Sequence, residues 1–225
     1  MYEDLLLQAP LFAGMDRQTL RELLLALRPQ YRAFGQGEAL LMAGTPMREI
    51  GVLLEGLAEA RKITPAGREF MVTRMAPGGV YGDVLFGSDT KSPVTIQALS
   101  ACKVMLLGYP RFFSAPVGAT GGYTLFLQNL LRVISEKYFA LDARVDLLLT
   151  HGLRRRIADW LLMEAKRQGS YTFSLPFTRA EMASYLGCER SALSRELSRM
   201  AAEGLIETKR GHFRLLAPDA LQENR

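Results

Sequence analysis

The hydrophobic period changes along the chain, and each change predicts a different kind of element. Residues 16–27, DRQTLRELLLAL, repeat apolar positions at helical spacing and stop before Arg28-Pro29, which predicts a short amphipathic helix. Between 31 and 107 the apolar runs shorten to 39–42, 51–54, 70–75 and 104–107, punctuated by Gly35, Gly37, Gly44, Gly56, Gly67, Gly78, Gly79, Gly82 and Gly87. Short runs with regularly spaced glycine turns predict a compact antiparallel all-β domain, a sandwich or barrel. From Leu127 the spacing becomes four, three, four, three through Leu127, Leu131, Ile134, Tyr138, Leu141, Val145 and Leu148. A heptad seam of this length asks for a partner helix, and a second copy in a symmetric homodimer is the simplest one; a helix packed only on its own domain would carry a wider stripe.

A further helix follows at 153–167, with Ile157, Trp160, Leu161 and Ala165 on its core face and Gly169 at its end. Residues 171–177 then read as a strand, and two helices and a terminal hairpin complete the chain. The expected organisation is α+β, with one domain at 1–115, a dimerisation helix and hinge at 116–150, and a second domain at 151–225.

Charge sharpens this picture. Residues 151–225 hold 13 Lys and Arg against 9 Asp and Glu, a net of +4 out of +5 for the whole chain. A basic excess gathered in one third suits contact with a polyanion. No apolar stretch approaches the roughly 20 residues of a bilayer span. Acidic residues stand where a secretory signal would be basic, so a cytoplasmic protein without a membrane partner is expected. Cys102 and Cys188 are the only cysteines and fall in different segments, which leaves neither a disulfide framework nor a metal cluster.

The richest chemistry lies at 178–216. Thr178 and Glu181 have capping-box spacing, Met182, Ala183 and Leu186 continue a helix, and Gly187 supplies the positive φ that ends it. In the next helix Leu193, Leu197 and Met200 point inward, while Arg190, Ser191, Ser194 and Arg195 share the outer face near its start. Two helices on so tight a turn form a helix-turn-helix, and a guanidinium matches guanine O6 and N7 in the major groove. The hairpin around Lys209-Arg210-Gly211 reads as a wing on the phosphate backbone, where Thr178, Arg179 and His212 join Lys209 and Arg210. Arg154, Arg155 and Arg156 read either as further phosphate contacts or as a solvated run.

In this order of parts the chain resembles the CRP/FNR family of transcription regulators along nearly its whole length. FGQGEALLMAGTP with VLLEG is similar to the opening strands of its cyclic-nucleotide-binding β-roll, PGGVYGDVLF to its phosphate cassette, and TRAEMASYLGCERSALSREL to its recognition segment. The resemblance implies an N-terminal jelly-roll-type β-roll, a long dimer helix and a C-terminal winged helix-turn-helix on near-palindromic double-stranded DNA, with RNA polymerase as a partner. By it Arg195 matches the guanine-reading arginine, Arg190 the other helix-face arginine and Ser194 a base-contacting serine. Ser191 stands where the family commonly has glutamate, which removes the acceptor for cytosine N4.

The resemblance also implies a small-molecule effector pocket at Gly82, Asp83, Lys91 and Ser92, completed by a polar stripe of Asn129, Arg132 and Ser135. Cyclic AMP binders of the family hold ribose with Gly-Glu and phosphate with Arg-Ser; the matching places here are Gly82-Asp83 and Ser92-Pro93, and a cyclic phosphate facing Lys91 without a guanidinium is poorly neutralised. The cysteine cluster that would hold an iron–sulfur centre is absent. A haem would need a Tyr, Met, Cys or terminal amine ligand, since His151 lies at the expected hinge and His212 in the wing; haem, an organic effector and no effector all stay open. A regulatory module acting on a protein partner without DNA is the alternative. No catalytic grouping or Walker-type loop occurs, and Gly78 to Gly82 reads as a turn, which argues against an enzyme.

Overall fold

The computed structural model describes residues 2–63, 67, 69–85 and 91–223; Phe86 and Gly87, the end of the cassette motif and one of the turn glycines, lie outside them. The chain divides into two compact units, one ending at Tyr138 and the other spanning Phe139–Arg225.

In the first unit α1 (Glu3–Gln8), a 3-10 turn (Pro10–Phe12) and α2 (Arg17–Leu27) precede eight strands. These are β1 (Gln30–Phe34), β2 (Ala39–Leu41), β3 (Glu49–Glu55), β4 (Ala58–Ile63), β5 (Glu69–Met75), β6 (Val80–Tyr81), β7 (Thr95–Ala98) and β8 (Cys102–Gly108). They form two antiparallel four-stranded sheets, in the orders β1-β8-β3-β6 and β2-β7-β4-β5. This is the β-roll. Strand β3 reads as continuous apolar sequence because both of its faces are covered. Ile50, Val52 and Leu54 join Met105, Leu107 and the helices in one core, whereas Leu53 joins Val104, Leu106, Ala58, Ala60, Ile96 and Ala98 inside the roll. Gly51 lies beneath the Tyr81 ring, where any side chain would collide with it.

Two short helices, α3 (Tyr109–Phe112) and α4 (Ala115–Gly118), lead into the long helix α5 (Tyr123–Leu149). Its opening turns carry two stripes. Phe126, Leu130 and Val133 are buried in the first core, Phe126 against Phe112 with centroids 5.3 Å apart and against Phe12 at 6.0 Å. Of the heptad positions beside them, Leu127 and Ile134 lean on the same core, and the later ones stay open: within one chain Leu131 is 65%, Tyr138 62% and Leu141 60% exposed.

The second unit holds the last turns of α5 and α6 (Leu153–Gln168), β9 (Thr172–Ser174), α7 (Arg179–Tyr185), α8 (Arg190–Ala202), β10 (Ile206–Lys209), β11 (His212–Leu215) and α9 (Pro218–Glu223). The three strands pair antiparallel in the order β10-β11-β9. Trp160, Ile157, Leu161, Leu193, Leu197, Met200, Phe213 and Leu147 of α5 share its core. The predicted strand over 171–177 shrinks to three residues, because β9 pairs only as far as Ser174 and Pro176 has no N–H to extend the ladder. Helices α1 and α9 were not anticipated; each buries a single leucine, Leu6 and Leu221, and so carries too little pattern to be seen. Among the described residues no helix is long and apolar enough to cross a membrane.

Candidate nucleic-acid interface

Helix α7 opens on the capping box. Thr178 Oγ1 accepts from the Glu181 amide at 3.2 Å, and the Glu181 carboxylate accepts from the Thr178 amide at 2.6 Å. Its end is a left-handed turn at Gly187, φ +62°, with the Cys188 amide donating back to the Ala183 carbonyl at 2.9 Å. Helix α8 starts two residues on, with Leu193, Leu197 and Met200 buried. Arg190, Ser191 and Arg195 are exposed on the opposite face and Ser194 is half-exposed. Among the described residues neither Arg190 nor Arg195 has a hydrogen-bond or ion-pair partner. The face is therefore free to bond elsewhere. Ser198 extends the same face by one turn and is exposed as well.

The wing follows from two torsions. Arg210 at φ +48° and Gly211 at φ +87° join β10 to β11 through a two-residue loop, and both central residues left-handed is the type I′ pattern. Gly211 is required twice over, since a Cβ there would stand 3.0 Å from the Leu175 carbonyl oxygen. Lys209, Arg210 and His212 are exposed, with His212 Nδ1 2.7 Å from Ser174 Oγ. Arg179 is placed differently from the rest: its guanidinium donates to Thr208 Oγ1 at 2.8 Å, lies 5.4 Å from the Phe213 ring centroid, and has its pKa pushed down by burial. It braces the wing strand from within the unit.

The arginine run at the start of α6 is half-buried and taken up by partners within the unit. Arg154 pairs with Glu203, and at 3.5 Å with Glu196, beyond and within α8; Glu203 holds the Arg154 pKa up. Arg155 pairs with Asp159 at 2.7 Å and donates to the Gln222 carbonyl at 3.1 Å. Arg156 donates to the carbonyls of Leu186, at 2.7 Å, and Thr150, at 3.2 Å. All three arginines are spent on holding the unit together, a role that depends on partners 4 to 67 residues away in sequence.

Two models of protein domains match the chain: a Crp-like helix-turn-helix domain at residues 155–224 and a cyclic nucleotide-binding domain at residues 31–115, together more than half of its length. The chain belongs to the CRP/FNR family of transcription regulators. This CRP/FNR regulator is 27% identical over 191 residues to the transcriptional activator protein FnrA of Stutzerimonas stutzeri, covering 82% of this chain and 76% of that one. It is 22% identical over 212 residues to the CRP-like cAMP-activated global transcriptional regulator of Mycobacterium tuberculosis, covering 91% of each. A CooA mutant from Carboxydothermus hydrogenoformans shares the fold at TM-score 0.70 and 17% identity over 89% of both chains. The regulator is a DNA-binding transcription factor, and its family is one of regulators rather than enzymes.

In this CRP/FNR regulator the expected pocket residues of the β-roll and of α5 have different surroundings. Asp83 is 1% exposed, and one carboxylate oxygen accepts from Lys137 Nζ at 2.6 Å; the same ammonium donates to the Val80 carbonyl at 2.8 Å. Lys137 was missed because a lone lysine in a helix carries no local signal. The Gly82 carbonyl accepts from Tyr109 Oη at 2.8 Å, and burial pushes the Tyr109 pKa up to about 12. Ser92 is buried and its hydroxyl donates to the Val94 carbonyl at 2.8 Å, while Lys91 is exposed. Asn129 donates to the Leu11 and Ala13 carbonyls at 3.2 and 2.9 Å and accepts from Arg132 at 2.8 Å, which ties α5 to the N-terminal segment. Ser135 is exposed. Among the described residues no three His, Cys, Asp or Glu side chains group as a metal site.

Proposed function

We propose that this regulator acts as a homodimer whose two α8 helices enter successive major grooves about 34 Å apart on a near-palindromic operator. Arg190, Ser191, Ser194 and Arg195 read base edges, with Arg195 bidentate to a guanine. Thr178, Lys209, Arg210 and His212 contact phosphates, and Arg179 holds the wing for them. The observation that carries this reading is the pair of exposed guanidinium groups, without a partner among the described residues, on the outer face of a helix whose inner face is buried. The open seam of α5 supports the dimer, because a contiguous apolar strip of this length is ordinarily covered.

The β-roll is the sensing module, and its occupant is a small organic effector other than a cyclic nucleotide. Two placements support that choice: the Ser92 hydroxyl is engaged by Val94, and the Asp83 carboxylate is engaged by Lys137. The dimer works in the cytoplasm, on DNA and with RNA polymerase. Selection of the full chain on random-sequence duplexes tests the reading. Two related half-sites one helical turn apart are expected; recovered duplexes without a consensus would refute it. Native mass spectrometry of protein purified from its own host, with and without oxygen, identifies the effector.

A further inference from the structure

The long helix and the helix-turn-helix meet inside the second unit at a small polar joint. Helix α5 ends at Leu149, and the Thr150 carbonyl points past its C-terminus. Helix α7 ends at Tyr185, and the Leu186 carbonyl points past its C-terminus in the same way. Terminal carbonyls of this kind have no partner within their own helix and carry the negative end of its dipole. One guanidinium takes both. Arg156, in the first turn of α6, donates through Nη1 to Leu186 and through Nη2 to Thr150.

The apolar contacts around this joint leave little slack. A Cβ at Gly187 would lie 2.9 Å from Leu148 Cδ2 and 3.7 Å from Arg156 Nη1, so the turn passes directly over the last residues of α5. Leu147 is buried in the core of the unit, and the Arg144 guanidinium lies 4.5 Å from the Tyr185 ring centroid. The division between compact units falls at residues 138 and 139, so the stretch of α5 after Tyr138 is fastened to the helix-turn-helix. Gly152 itself has φ +84° and starts α6 immediately, directly beside the joint.

The geometry points to Arg156 as the positioning residue for DNA reading: it fixes the turn that launches α8 on the end of the dimer helix, so that the placement of one sets the placement of the other. Arg156 touches no base. It acts through the Leu186 carbonyl and the Gly187 turn. The inference rests on the proposed base-reading role of α8.

The test compares the full-length wild type with Arg156→Met and Arg156→Lys. Dimer content is followed by sedimentation, folding by circular dichroism, and affinity is measured for the selected operator and for random duplex at one salt concentration. The ratio of operator to random affinity is expected to change by about threefold or more in each variant, and more in Met, the size seen when a coupling residue is altered. Lysine keeps the charge but presents a point donor that serves one carbonyl better than two. Amide exchange at Gly187 and Cys188 should quicken in the same order. Folded, dimeric variants that both keep the ratio below that threshold overturn the role of Arg156. If Arg156→Met does not fold, Arg156→Lys alone decides by the same threshold. A wild type that fails to distinguish operator from random duplex overturns the base-reading proposal instead.

Discussion

Arginine is the residue type that does most of the work in the second unit, and its positions fall into two groups by what surrounds them. Arg190 and Arg195 are exposed and have no partner among the described residues, whereas Arg154, Arg155, Arg156 and Arg179 are bound within the unit. Replacing Arg195 with Ala is expected to cost about 1–3 kcal/mol on the operator and to relax one base position, read by competition against single-base variants. Lys209→Ala should weaken all duplexes alike and lower the salt dependence of log affinity by about one counterion. Equal losses on operator and random DNA for both variants would show the base-reading role to be misplaced. Thr178→Ala removes one half of the capping box and should destabilise the second unit by about 1 kcal/mol, measured by urea unfolding. The exposed groups were legible from helical spacing alone. The bound ones were not, because a guanidinium looks the same in sequence whether its acceptor is a phosphate or a distant carbonyl.

Elements declared themselves in proportion to the length and regularity of their pattern. Helix α5 is the clearest case: of the heptad positions predicted from spacing, Leu131, Tyr138, Leu141, Val145 and Leu148 are open in one chain, whereas Leu127 and Ile134 lean on the first core with Phe126, Leu130 and Val133. Leu141→Glu is expected to leave the single chain folded, since Leu141 is exposed there, but to place an unpaired charge in the dimer seam at a cost of about 2 kcal/mol or more. Sedimentation should then show monomer at micromolar concentration, with operator binding lost in step. A fully dimeric variant would move the interface elsewhere. The hairpin of β10 and β11 was equally readable, because Arg210-Gly211 leaves a tight turn few alternatives.

For the whole molecule, the two units have separate cores, which sets a simple test of their independence. Trp160 is the single tryptophan of the chain and is 2% exposed in the core of the second unit. Its fluorescence therefore reports the unfolding of that unit alone, and far-ultraviolet circular dichroism reports both. In denaturant the two signals are expected to give different midpoints, as two cores that melt apart would require. Coincident transitions would mean that the units unfold as one.

The sequence by itself determined the order of parts: a β-rich half with glycine turns, a heptad helix, and a capped helix-turn-helix with a basic wing. Each of these rests on contacts between residues a few positions apart, so period, caps and turn residues encode them directly. What only the tertiary structure decided is which polar groups are committed. Lys137 reaches Asp83 across 54 positions, Asn129 reaches the Leu11 carbonyl across 118, and Arg156 reaches Leu186 across 30. A buried donor or acceptor must be satisfied by whatever the fold brings beside it, and that neighbour is set by packing rather than by any local pattern.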